Sequence, residues 1–138
     1  CTIVHPQIAI NTADTRKILK KHILLSDAVK QWGNVAGLVA GLILDDYDLI
    51  GRSIQDVIIE PIRSLLIPGF DEIKKAALNE EALGCSISGS GPSIFAFSKS
   101  YQSAVNIGNA MKQVLKSIDI QNDLYISKIN QTGPKVIN

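Results

Sequence analysis

The sequence predicts an α+β fold, a two-layer sandwich in which a mostly antiparallel sheet is covered by helices. Three observations point there. Strand-like and helix-like stretches are interspersed along the chain. Two short strand-like runs, Cys85–Ser88 and Ile94–Phe97, stand back to back around a loop of small residues. The helical stretches each carry an apolar stripe at helical spacing. At 138 residues, with a hydrophobic fraction of 46%, the chain suits one domain, 1–138, with a real core.

Taken in order, residues Thr2 to Ile10 read as a strand interrupted by Pro6, which donates nothing to a ladder and favours an edge or a bulge. Asn11 or Thr12 then caps a helical turn from Ala13 to Leu19. Ser26 or Asp27 caps a second helix ending near Leu44. Its apolar positions Val29, Trp32, Val35, Ala36, Val39 and Ile43 follow the spacing of a buried face, and Trp32 reads as core. Gly33, Gly37 and Gly41 recur along the same helix. Each glycine costs a helix about 0.5–1 kcal/mol relative to alanine, so another backbone is expected close by.

A third helix is expected from Asp48 to Leu66, burying Ile50, Ile54, Val57, Ile58, Ile62 and Leu65. Pro61 should kink it, because its ring meets the carbonyl of Val57. Pro68-Gly69 ends that element, and Asp71 to Ala82 forms a fourth, amphipathic helix. After the strand pair, Ser98 or Ser100 caps a fifth helix to Ser117. Tyr101, Ala104, Val105, Gly108, Met111, Val114 and Leu115 take its core positions. Leu124 to Ile129 alternates as a strand does, and Lys135 to Ile137 suits a short closing one.

Composition narrows the function. Fourteen Lys and Arg against thirteen Asp and Glu give a net charge of +1, which offers no case for nucleic acid or an acidic membrane surface. The longest apolar run is too short to span a bilayer, and no signal peptide opens the chain. Cys1 and Cys85 have neither metal-ligand spacing nor a paired framework, so a reducing, cytoplasmic setting is expected. The chain starts at Cys1, without methionine and directly in an extended pattern, and reads as a piece of a longer protein.

Three places carry possible chemistry. The loop Ser88-Gly89-Ser90-Gly91-Pro92-Ser93 lacks the Lys and Ser/Thr that a Walker-type phosphate loop needs after its last glycine. It is longer than the two residues a hairpin requires, and its unhindered amides could form a concave anion site; the alternative is a plain turn. Thr12 and Arg16 sit at a helix start, where free amides favour an anion and Arg16 could clamp it with two hydrogen bonds. An N-cap beside a solvated arginine is the other reading. In Glu60-Pro61-Ile62-Arg63, local propensity conflicts with the helical pattern, and a kink could aim Arg63 into a cleft. A bent core helix with an exposed arginine is equally consistent. His5 and His22 have no spacing that pairs them with Asp, Ser or Cys, and are expected to be structural or exposed. Met111 reads as core.

The segments T-A-D-T-R, D-V-I-I-E-P-I-R-S-L-L-I-P-G-F and G-C-S-I-S-G-S-G-P-S-I-F-A-F resemble the C-terminal half of the homoserine kinase family, within the GHMP small-molecule kinases. The resemblance runs over essentially the whole chain. It implies a ferredoxin-like C-terminal domain of a two-lobed enzyme that transfers the γ-phosphate of ATP to the hydroxyl of L-homoserine, on the route to threonine. By this resemblance Arg16 and Arg63 would hold the homoserine carboxylate, and Thr12 would sit near the transferring phosphate as the catalytic position. Ser88, Gly89, Ser90 and Gly91 would pack beneath the nucleotide-phosphate loop of the N-terminal lobe. ATP and Mg²⁺ would be bound mainly by that lobe, no metal ligand is expected in this chain, and the piece alone should be inactive. The apolar helices leave room for a homodimer. Two alternatives stand beside this reading: another GHMP kinase of the mevalonate type, and a free-standing amino-acid-binding or dimerisation module.

Overall fold

A computed structural model describes residues 1–10, 17–134 and 136–137. Its elements run β1 (Thr2–Pro6), α1 (Leu25–Leu44), α2 (Tyr47–Ser53), α3 (Glu60–Arg63) continued by a 3-10 turn (Ser64–Leu66), α4 (Phe70–Asn79), β2 (Gly84–Ile87), β3 (Ile94–Phe97), α5 (Tyr101–Ser117) and β4 (Asn122–Ile126). The four strands form one sheet in the order β2-β3-β1-β4, and every neighbouring pair is antiparallel. Strand β3 separates β1 from β2, which gives the split β-α-β arrangement of ferredoxin-like domains. The expected α+β architecture is therefore present.

Alternation along the strands sends one set of side chains to the core. Thr2, Val4 and Pro6 of β1 are buried, with Ile94 and Ala96 of β3 and Cys85 of β2 on the same side. Against them pack Ile73 and Ala77 of α4 and Ile107, Met111 and Leu115 of α5, with Ile67 and Phe70 closing the cluster. The Thr2 hydroxyl, buried among these groups, donates to the carbonyl of Ala104 at 2.9 Å and ties β1 to α5. Ser100 caps α5 as expected, its Oγ accepting from the amide of Ser103. Cys1 and Cys85 are both free thiols.

Several elements differ from the sequence reading, each for an identifiable reason. Pro6 lies in a strand with neighbours on both sides, not at the sheet edge. Pairing with β3 ends at Val4, and Pro6 faces only Asn122 of β4, so its missing N–H leaves no gap in the ladder. The strand stops there instead of reaching Ile10.

The single kinked helix from Asp48 to Leu66 does not form. Helix α2 ends at Ser53, and a new turn begins at Glu60 with Pro61 in its first two positions, where a proline costs no hydrogen bond. Side chains hold the chain between them. Asp56 Oδ1 accepts from the amides of Ile58 and Ile59 at 2.9 and 2.7 Å, Gln31 Oε1 accepts from Val57 N, and Asn34 donates to the carbonyl of Gln55. Leu65, expected inside, is 82% exposed.

Helix α1 packs on α2 through its glycines. A Cβ at Gly41 would stand 2.9 Å from the backbone nitrogen of Ile50, which is the close approach the spacing predicts; at Gly33 it would meet nothing within 4 Å. The apolar stripe of α1 is uncovered: Trp32 is 64% exposed, and Val29, Val35, Val39 and Ile43 are exposed with it. Trp32 is thus not core within this chain, whereas Met111 is fully buried. Tyr101, at the first turn of α5, is also exposed. Strand β4 is Asn122–Ile126 instead of Leu124–Ile129, and Val136 and Ile137 lie exposed outside any strand. Thr12, Arg16 and the first part of the expected turn, residues 13–16, lie outside the described residues, as does Lys135. No described helix is long and apolar enough to cross a membrane.

Candidate functional site

Residues 88–93 form the connection between β2 and β3. The amide of Ser88 donates to the carbonyl of Ser93 at 2.8 Å, and that of Gly91 donates to the carbonyl of Ser88 at 3.1 Å. These bonds define the turn and leave the amides of Gly89 and Ser90 outside it. Gly89 and Gly91 both have positive φ, 61° and 81°, a region that side-chain-bearing residues avoid. Their surroundings differ. Gly91 rests on Ile67 and Ile87, whereas space for a Cβ at Gly89 is open. Small residues are needed here for backbone conformation, and they keep one side of the loop clear. Ser93 Oγ, at the far end of the loop, lies 2.8 Å from His5 Nδ1, so His5 secures the loop to β1.

The second feature is Arg63, the last residue of α3. Its Nη1 donates to the carbonyl of Gly89 at 2.6 Å, which brings two of the three places singled out in the sequence into contact. Arg63 Nε is buried without a hydrogen-bond partner. A guanidinium offers five N–H donors in one plane, so the bond to Gly89 leaves most of the fork for an anion. A buried donor left unpaired costs about 1–3 kcal/mol, which an incoming acceptor would recover.

Glu60, at the other end of α3, is only 11% exposed. Its carboxylate pairs with Lys74 of α4 through Oε1 and accepts from Ser86 Oγ of β2 through Oε2 at 2.5 Å. Neither Lys74 nor Ser86 carried a signal in the sequence, since they lie 14 and 26 residues from Glu60 in the chain. Beside this group, burial pushes the Cys85 thiol up to about 12; the Lys74 charge pulls against that shift and the Glu60 charge adds to it. Cys85 is therefore a neutral packing residue. Among the described residues, no three His, Cys, Asp or Glu side chains come together as metal ligands. A cavity of about 630 Å³ lies near the other end of β3 by Phe97, Lys99 and Tyr101, away from Arg63 and the loop.

A model of the C-terminal region of GHMP kinases matches residues 38–117. The chain belongs to the GHMP kinase family. This GHMP kinase chain is 50% identical over 139 residues to homoserine kinase of Chlorobaculum tepidum, covering 99% of the chain and 43% of that protein. It is 51% identical to homoserine kinase of Chlorobium phaeobacteroides with the same coverage. A crystal structure of homoserine kinase from Cytophaga hutchinsonii superposes with a TM-score of 0.94 at 62% identity, over 99% of this chain and 43% of that one. The GHMP kinase chain thus spans less than half the length of these relatives.

Proposed function

We propose that this chain is the substrate-side domain of a kinase that moves the γ-phosphate of ATP to the hydroxyl of L-homoserine, on the route to threonine in the cytoplasm. Residues 1–138 form that domain. In this reading an N-terminal lobe holds ATP and Mg²⁺. One observation carries the reading: the fork of Arg63 lies on the Ser88–Ser93 loop with its Nε buried and unpartnered. The high identity to proteins named homoserine kinase supports the choice of substrate.

In this reading Arg63 grips the substrate carboxylate with two parallel hydrogen bonds, which lysine would imitate poorly. Arg16 completes the carboxylate site and Thr12 adjoins the transferring phosphate. Ser88, Gly89, Ser90 and Gly91 back the nucleotide-phosphate loop of the other lobe, and the open side at Gly89 lets that backbone come close. Phosphoryl transfer depends on positioning and charge stabilisation, so a domain that only holds the acceptor still governs rate.

The test is Arg63→Ala in the full-length kinase. A charge-assisted hydrogen bond is worth about 1.5–3 kcal/mol, so the KM for homoserine should rise about 10- to 100-fold. The KM for ATP should stay within about twofold, because in this reading Arg63 does not touch the nucleotide. Equal rises for both substrates would refute the carboxylate role. The 138-residue chain alone should release no ADP from ATP and homoserine, and turnover by it would contradict the two-lobed reading.

A further inference from the structure

We infer that Glu60 is a positioning residue for Arg63, acting through a carboxylate clamp that fastens the short helix α3 to the strand leading into the glycine loop. The inference rests on the proposed role of Arg63 as the carboxylate grip.

Helix α3 has four residues, none of them buried, and its N-cap Ile59 makes no side-chain capping bond. A single turn of this kind has no stability of its own, since helix nucleation is unfavourable and too few bonds follow it. Something outside the turn must hold Arg63 in place. Glu60 and Arg63 are three apart, so they lie on the same face of the turn, and both face the β2 side of the site. Glu60 reaches Ser86 in β2 and Lys74 in α4, while Arg63 reaches Gly89 two residues beyond the end of the same strand. The turn is thus fixed at its first residue by two polar bonds and at its last by one. If the first attachment is released, the turn keeps its chain connections to Asp56 on one side and the buried Ile67 on the other, but the guanidinium itself is directed by its exposed contact to Gly89. A carboxylate suits this place because it accepts from the ammonium and the hydroxyl at once. A glutamine could accept on its oxygen only, and would turn an N–H donor toward one of the two partners.

The experiment is a double-mutant cycle in the full-length kinase, comparing Glu60→Gln, Arg63→Ala and the pair, with KM measured separately for homoserine and ATP. Glu60→Gln should raise the homoserine KM about tenfold, in line with the large penalties for small misplacement of a binding group, and leave the ATP KM within about twofold. Added to Arg63→Ala, the same change should raise the homoserine KM less than about twofold, because the group it positions is already gone. Ser86→Ala, which removes one arm of the clamp and keeps a small side chain, should give a smaller rise of the same kind, and it carries the test if Glu60→Gln does not fold. The inference is overturned if the Glu60→Gln penalty persists undiminished in the Arg63→Ala background, or if it falls equally on both substrates. An unchanged homoserine KM in the Arg63→Ala single variant overturns the carboxylate assignment itself, and that result is read with Glu60 intact.

Discussion

Gly33, Gly37 and Gly41 look alike in the sequence, yet the structure makes opposite predictions for the two outer ones. At Gly33 an added Cβ meets nothing within 4 Å, so Gly33→Ala removes only the flexibility penalty of glycine and should stabilise the 138-residue chain by about 0.5–1 kcal/mol. At Gly41 the same methyl would sit 2.9 Å from Ile50 N, 2.9 Å from Ile50 Cγ1 and 3.3 Å from the carbonyl of Asp46. Two of those atoms are backbone and cannot turn aside, so helices α1 and α2 must separate. Overpacking of this kind costs about 1–3 kcal/mol; set against the propensity gain, Gly41→Ala should lose about 1–2 kcal/mol. The variants should therefore differ by about 1.5–3 kcal/mol, or roughly 5–10 °C in Tm for a domain of this size. Urea denaturation followed by far-UV circular dichroism, with unchanged m-values, measures the gap. Equal shifts of the same sign in both variants would refute the argument that the glycine face exists for the approach of α2.

Three further outcomes follow from burial and charge. The Cys85 thiol, raised to about 12 by burial, keeps its proton in the folded chain while a solvated thiol loses it near about 8.5. Its contribution to stability is therefore complete below about pH 8.5 and is lost as the pH rises toward 12, so the stability gap between the parent chain and Cys85→Ala should narrow across that window; a constant gap would count against the assignment. Trp32 is the sole tryptophan, and in the 138-residue chain it should emit as a solvated indole and be readily quenched by acrylamide; a blue-shifted, protected emission would show that its face is covered. Met111→Ala should lose about 2–5 kcal/mol on unfolding, whereas Trp32→Ala should change stability by less than about 0.5 kcal/mol.

Periodicity located the helices and the strand pair well, because apolar spacing reports which face of an element is apolar. It does not report whether this chain covers that face, and for that reason Trp32 read as core while standing in solvent. The break between α2 and α3 escaped detection for a different reason. Ile54, Val57, Ile58 and Ile62 fit a helical stripe, and what diverts the backbone is a set of side-chain bonds from Asp56, Gln31 and Asn34 that spacing cannot forecast. Pro61 gave the right warning, but as the start of a turn and not as a kink. The candidate site was legible as separate pieces. Glycines with positive φ and an arginine after a proline can be read locally, whereas their meeting, and the Glu60–Lys74–Ser86 clamp behind it, exists only once β2, α3 and α4 are packed together.

The claim that joins fold to function is that Arg63 offers its free donors to a carboxylate at the edge of the glycine loop. A crystal structure of the full-length kinase with L-homoserine bound tests it most directly. The account predicts the homoserine carboxylate within hydrogen-bonding distance of the Arg63 guanidinium, with Nε paired. Homoserine bound elsewhere, with Nε still unpartnered, would contradict it.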